Sequence, residues 1–347
     1  MKILFIINSL KSRSGSERVA TQLANQLTEL DRYSISIATR DTDRHQCAYK
    51  LANDIKVLKL TGNSIQFFSK LNTLISKKHF DAIVIHNMGK LSILCSLLST
   101  SVKLISLEHG AYTSRPLHVR FLSNLLYKRI NQVVVLTEND KQSFNKFHTN
   151  VTVIPNFSPY PITSERNFES KNIIAVGRLT NEKNHIHAIK AWERILQKVP
   201  DWNLSIYGDG EQKQLLHEYI KINNISNINV HASTPNIADI YSKANFFIMS
   251  SKNEGLPMVL IEAQSFGLPI ISYDCPHGPR NIIQNDVNGF LVENQNIEKL
   301  SEAMLTLIQN KELQKIMSKN SLINAKKYEA KEIIKAWINN VFQIEAK

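Results

Sequence analysis

The chain has 347 residues, 43% of them hydrophobic, 21% charged and 8% aromatic, with no run of eighteen apolar residues; this excludes a disordered, collagen-like or membrane-spanning chain and predicts about two domains. Its net charge of +12 is gathered early, with 21 basic against 11 acidic side chains before residue 166 and 21 against 19 after it. A one-sided positive field attracts nucleic acid, anionic lipid or phosphorylated substrates, and equally serves as a plain solubilising face.

The opening MKILFIINSL carries one lysine and an apolar run too short for a signal-peptide core, so it reads as a first strand, Lys2–Asn8. A second strand, Ser34–Thr39, leads into Asp41-Thr42-Asp43, which has the spacing of a divalent-metal pair; it lies in a polar loop, in the half poor in phosphate-binding turns, and is rejected as a metal site. Strands Asp81–His86 and Val102–Leu107 follow, then His109, which by itself, as a lone histidine after a strand, is more often a structural hydrogen bonder than a ligand contact. RPLHVRFLSNLLYKRI, Arg115–Ile130, puts Leu117, Phe121, Leu125 and Leu126 at helical spacing beside Arg115, Arg120, Lys128 and Arg129. Two readings stand for it: a helix whose apolar stripe faces the core, or one lying on an anionic membrane. After strand Gln132–Thr137, the stretch Ile154–Arg166, crowded with Pro155, Pro159 and Pro161, is the expected linker.

The second half repeats the alternation with strands Asn172–Gly177, Asn203–Tyr207, Phe246–Ser250 and Pro269–Tyr273, and ends in a helical stretch, Lys326–Gln343, able to pack back on the first half. Continuous apolar strands alternating with helices predict doubly wound parallel sheets, covered on both faces. The expected domains are 1–160, 161–325 and a terminal helix within 326–347. Cys47, Cys95 and Cys275 show neither zinc spacing nor a disulfide framework, which favours a reducing cytoplasm; Cys275 reads as a small buried residue.

Glycine is scarce, 11 residues, and seven of them lie between Gly177 and Gly289. Gly177, Gly208, Gly210, Gly255 and Gly278 each follow a strand or precede a helix, the places where backbone amides and helix ends make anion sites. Arg178 and Lys183 follow Gly177 in GRLTNEKN, a fork and a point charge suited to a diphosphate. Glu254 and Glu262 stand eight residues apart around a helix beginning near Pro257, which would set both along one side.

Together these residues resemble the retaining family-4 glycosyltransferases of the GT-B fold, from Ile3 to about Asn310. The carriers are SGSERV at Ser14–Val19, LEHG at Leu107–Gly110, VIPN at Val153–Asn156, GRLTNEKN, and EGLPMVLIEAQSFGLPII; SYDCPHGPRNII at Ser272–Ile283 looks like the bacterial surface-polysaccharide type. Ser14 and Asn184 depart from the pattern, standing where the family often has glycine. The resemblance implies two Rossmann-like domains facing across a cleft, a nucleotide-sugar, first of all a UDP-sugar, in the second domain, a lipid-linked or membrane-held glycan acceptor in the first, and no essential metal or other cofactor. It implies that Arg178 and Lys183 hold the diphosphate and that Glu254 holds the donor sugar, with Gly255 and Leu256 beside it. It further implies that Glu262 holds the ribose, that Gly15 lets the first loop approach the diphosphate, and that His109 lies near the reacting sugar. Gly177, Gly208 and Gly210 complete the expected donor side; Arg115, Arg120, Lys128 and Arg129 form the expected acceptor or membrane side. The place implied is the inner face of the cytoplasmic membrane, as a peripheral protein.

Rival readings are a UDP-sugar hydrolase or epimerase of the same fold, and a non-catalytic nucleic-acid or membrane binder using the basic half. The single glycine of LKSRSGSER argues against a dinucleotide fingerprint. The basic half also lacks a recognised nucleic-acid-binding motif, so no nucleic-acid partner is expected.

Overall fold

The computed structural model describes residues 1–87, 89–163 and 168–342, and the chain divides into two compact units. Residues 164–166 of the expected linker, and Gln343 onward in the expected last helix, lie outside the described residues. The first unit comprises Met1–Asn156 and the chain from Ala330 on; the second is Phe157–Glu329.

In the first unit, β1 (Lys2–Ile6), β2 (Ser34–Thr39), β3 (Lys56–Lys59), β4 (Ala82–Asn87), β5 (Lys103–Glu108), β6 (Gln132–Val135) and β7 (Val151–Val153) form one sheet. Every pairing is parallel, in the order β3-β2-β1-β4-β5-β6-β7. Ile3, Leu4, Phe5 and Ile6 are fully buried, as are Ala82 to Ile85, because a central strand buries both of its faces. The terminal helix Ala330–Asn340 belongs to this unit, where Asn340 and Val341 carbonyls accept from Gln132 Nε2 and Lys103 Nζ at 2.9 and 2.8 Å. It begins four residues later than the sequence suggests, since Lys326–Tyr328 form a separate 3-10 turn.

In the second unit, β8 (Asn172–Val176), β9 (Asn203–Tyr207), β10 (Ile228–His231), β11 (Phe246–Met249), β12 (Ile270–Tyr273) and β13 (Gly289–Val292) pair in the order β10-β9-β8-β11-β12-β13. In each unit the strand order reverses once, between β1 and β4 and between β8 and β11. Ligands of doubly wound sheets bind outside the carboxyl ends of the strands at such a reversal. Among the described residues no helix is long and apolar enough to cross a membrane.

Candidate active site

At the β8/β11 reversal the loops after both strands are tied together. Asn184 Nδ2 donates to the Ser250 carbonyl at 3.2 Å, Ser250 Oγ donates back to the Asn184 carbonyl at 2.9 Å, and Lys252 N donates to the Glu182 carbonyl at 2.9 Å. This stitching brings Lys183 Nζ to 2.5 Å from Glu254 Oε1, with both side chains mostly buried. Asn184 itself is left-handed, φ 53°, at the start of the helix His185–Ile195. Asparagine is among the few non-glycine residues that adopt this conformation readily, which explains the departure from glycine noted above.

Arg178, in the same loop, is exposed and forms no ion pair among the described residues, so its guanidinium is open to an anion. Gly177 and Gly208 close neighbouring strands so tightly that a Cβ on Gly208 would lie 1.9 Å from the Gly177 carbonyl oxygen; Gly210 packs in the same way on Leu179. Gly255 abuts Gly278, Leu256 is buried behind it, and the backbones of Glu254 and His277 pair in a single parallel bridge. Gly15, by contrast, begins the helix Gly15–Thr28 with nothing within 4 Å of where its Cβ would be. Gly208→Ala is therefore expected to destabilise the protein by about 1–3 kcal/mol, whereas Gly15→Ala leaves stability unchanged or raises it by up to about 1 kcal/mol. Urea denaturation of the two variants checks this, and equal losses would contradict it.

Glu262 lies within the helix Met258–Ser265, as expected, but not on one helix side with Glu254. The helix starts at Met258 with Pro257 as its N-cap, so Glu254 precedes it and the two carboxylates do not share one helix face. Glu262 is 2% exposed and accepts a hydrogen bond from Tyr241 Oη at 3.1 Å. Cys275 is buried, and burial, with the Glu254 charge second, pushes its thiol up to about 12, out of reach of nucleophilic chemistry at neutral pH.

In the first unit, the carboxyl ends of β1, β4 and β5 enclose a cavity of 440 Å³. Its wall includes Asn8, Ser9, Ser16, Glu17 and Lys90, groups that bind hydroxyls, with His86 behind them. Gly110 and Ala111 also line it, and the half-buried His109 reaches it through His86, whose Nδ1 lies 3.2 Å from His109 Nε2. Asp41 and Asp43 each face a lysine, Lys11 at 3.9 Å and Lys59 at 3.6 Å.

Arg115 corrects the sequence reading. It does not join an exposed basic face; it is 5% exposed and paired with Glu108, which also accepts from Tyr127 Oη at 2.8 Å and Ser106 Oγ at 2.5 Å. The guanidinium also lies over Phe144, 5.0 Å from the ring centroid, so this ion pair sits in the cavity wall, with Arg115 Nε lacking a hydrogen-bond partner among the described residues. Arg120 is half-buried and caps the carbonyls of Arg115 and Thr113, while Lys128 and Arg129 are exposed. The helix Leu117–Leu126 buries Val119 and Ser123 and leaves Leu117, Phe121 and Leu125 outside, 79%, 70% and 56% exposed. Of the two readings of this segment, the stripe facing the core is overturned. Sequence reasoning also missed His86, hidden inside an ordinary apolar strand, and the Asn184–Ser250 stitch, for which the lysine-asparagine step was the only signal.

Comparison with known proteins agrees with these two units. The Glycosyltransferase Family 4 model matches residues 13–157 and the Glycosyl transferases group 1 model matches 162–322. The amylovoran biosynthesis glycosyltransferase AmsD of Erwinia amylovora is 30% identical, with 97% of this chain and 98% of that one covered. A Campylobacter jejuni GalNAc-alpha-(1->4)-GalNAc-alpha-(1->3)-diNAcBac-PP-undecaprenol alpha-1,4-N-acetyl-D-galactosaminyltransferase is 26% identical over 99% of both chains. The pneumococcal O-GlcNAc transferase GtfA, solved with UDP and GlcNAc, superposes with a TM-score of 0.82 at 14% identity, covering 100% of this chain and 99% of that one.

Proposed function

The chain belongs to the family-4 glycosyltransferases of the GT-B fold, and from that premise we propose that it transfers a hexose or N-acetylhexosamine, with retention, from a UDP-sugar to a lipid-linked or membrane-held glycan in cell-surface polysaccharide synthesis. The observation that carries the donor site is the Lys183–Glu254 pair at the β8/β11 reversal, next to Arg178, which has no ion-pair partner among the described residues. An ammonium has three donors, so Lys183 can keep Glu254 and still take a phosphate oxygen. Arg178 and Lys183 together supply the positive charge that a departing diphosphate needs, which is why no metal is required. In the transfer, the bond from the anomeric carbon to the diphosphate oxygen breaks, the acceptor oxygen bonds on the same face, and the acceptor proton passes to the leaving phosphate. Glu254 holds sugar hydroxyls, Glu262 the ribose through its fixed carboxylate, and His109 the reacting sugar.

The AmsD relative supports polysaccharide synthesis, and the undecaprenol-linked substrate of the Campylobacter relative supports a lipid-linked acceptor. The exposed Leu117, Phe121 and Leu125 with Lys128 and Arg129 support peripheral attachment to the anionic inner face of the cytoplasmic membrane. Thermal denaturation with UDP, GDP, ADP and NAD, each without metal, tests the donor: at a hundred times its dissociation constant the right nucleotide adds about 2.7 kcal/mol. A selective gain with UDP is expected, and sugar release should then require an acceptor glycan. Consumption of the UDP-sugar without acceptor would instead make the protein a hydrolase or epimerase.

A further inference from the structure

His86 has no part in the reading above. It lies near the carboxyl end of β4, opposite Leu107 of β5, is 2% exposed, and sets its ring 4.6 Å from that of Phe5. Its Nδ1 is 3.2 Å from His109 Nε2, with the two rings within 20° of parallel. Its other nitrogen, Nε2, is buried without a partner among the described residues. Burial keeps both imidazoles neutral, holding His86 well below the ordinary histidine range and pushing His109 down to about 4.

Two neutral imidazoles joined by one N···N bond share a single proton, so only two arrangements exist. If His109 donates, His86 carries its proton on Nε2, and a buried N–H is left with no acceptor. If His86 donates through Nδ1, its Nε2 is a bare lone pair, and an unmet acceptor is the smaller loss in a protein interior. His109 then accepts at Nε2 and keeps its own proton on Nδ1, a nitrogen that enters no hydrogen bond among the described residues. We infer that His86 is the positioning residue for His109: it fixes the Nδ1–H tautomer and makes His109 a neutral hydrogen-bond donor to an oxygen of the reacting sugar. This rests on the proposed contact between His109 and that sugar.

Long-range proton–nitrogen spectra of the ring nitrogens in the free protein, with His109→Gln identifying the His109 signals, test the assignment. The wild type is expected to show His109 protonated at Nδ1 and bare at Nε2. His86→Asn, whose amide N–H replaces the Nδ1–H, keeps that pattern and most of the turnover. His86→Leu lets His109 relax to the tautomer mixture of a free imidazole and lowers kcat about 10- to 100-fold with the donor KM unchanged. A wild-type His109 protonated at Nε2, or an unaltered His109 in His86→Leu, overturns the inference whether or not the protein transfers sugar. The wild-type spectrum decides the tautomer even where His86→Leu fails to fold. Full turnover by His109→Gln, with the spectra as expected, would overturn the sugar contact and leave the tautomer standing.

Discussion

Glu254→Ala and Lys183→Ala are each expected to lower turnover by about 10²- to 10³-fold, the usual cost of removing one preorganised charge from where transition-state charge develops. The two side chains form one device. Glu254 holds the ammonium in place before any donor arrives, and Lys183 keeps a mostly buried carboxylate from standing unpaired. Removing both should therefore cost far less than the product of the single losses. Each single variant also leaves a partly buried charge alone, at about 1–2 kcal/mol and a few degrees of Tm, so Glu254→Gln serves as the milder control. Arg178→Ala is expected to lose turnover without any change in Tm, since its exposed guanidinium holds nothing in the fold. Initial rates and melting curves on the same preparations separate these effects. Wild-type rates in all three alanine variants would remove the proposed site.

The two-sheet architecture is legible in the chain because its central strands are long apolar runs. Nine strands stand out in this way, and each appears in the structure within a residue or two. The four that do not are β3, β7, β10 and β13, and all four are edge strands of three or four residues. An edge buries one side only, so KVLK and INVH carry no continuous apolar run to mark them. The loops that hold Lys183 and Glu254 were visible through their glycines, since close packing of neighbouring turns leaves no room for a side chain. Pairwise contacts were not visible. Arg115 looks like one more surface cation in a basic run, and only the fold brings Glu108 to it, seven residues back at the end of the preceding strand. His86 is hidden for the same reason: its partner lies 23 residues on, and nothing in a strand pattern marks a buried ring that must find a hydrogen bond.

Replacing Leu117, Phe121 and Leu125 together by serine is expected to reduce binding to anionic vesicles by about 100-fold or more. Partial insertion of each apolar side chain contributes on the order of 1 kcal/mol, and 1.4 kcal/mol corresponds to a factor of ten. Lys128→Glu with Arg129→Glu removes attraction of about 1 kcal/mol per cation near the surface and adds repulsion. The two sets of residues differ in their response to salt: the charge component fades as ionic strength rises, whereas the apolar component persists. None of the five side chains is buried, so the folded state should tolerate both sets within about 0.5 kcal/mol per substitution. The location matters for function because this helix has two duties. Val119, with Pro116 just before the helix, lines the 440 Å³ cavity, while the helix's outer face carries the apolar stripe. A bilayer touching that stripe would place a lipid-linked glycan beside the cavity without the glycan leaving the membrane. Transfer to a vesicle-bound acceptor should therefore fall in parallel with vesicle binding, and transfer to a short soluble acceptor should stay at the wild-type rate. Loss of both would mean that the helix shapes the acceptor cavity itself, and loss of neither would mean that the stripe meets something other than lipid.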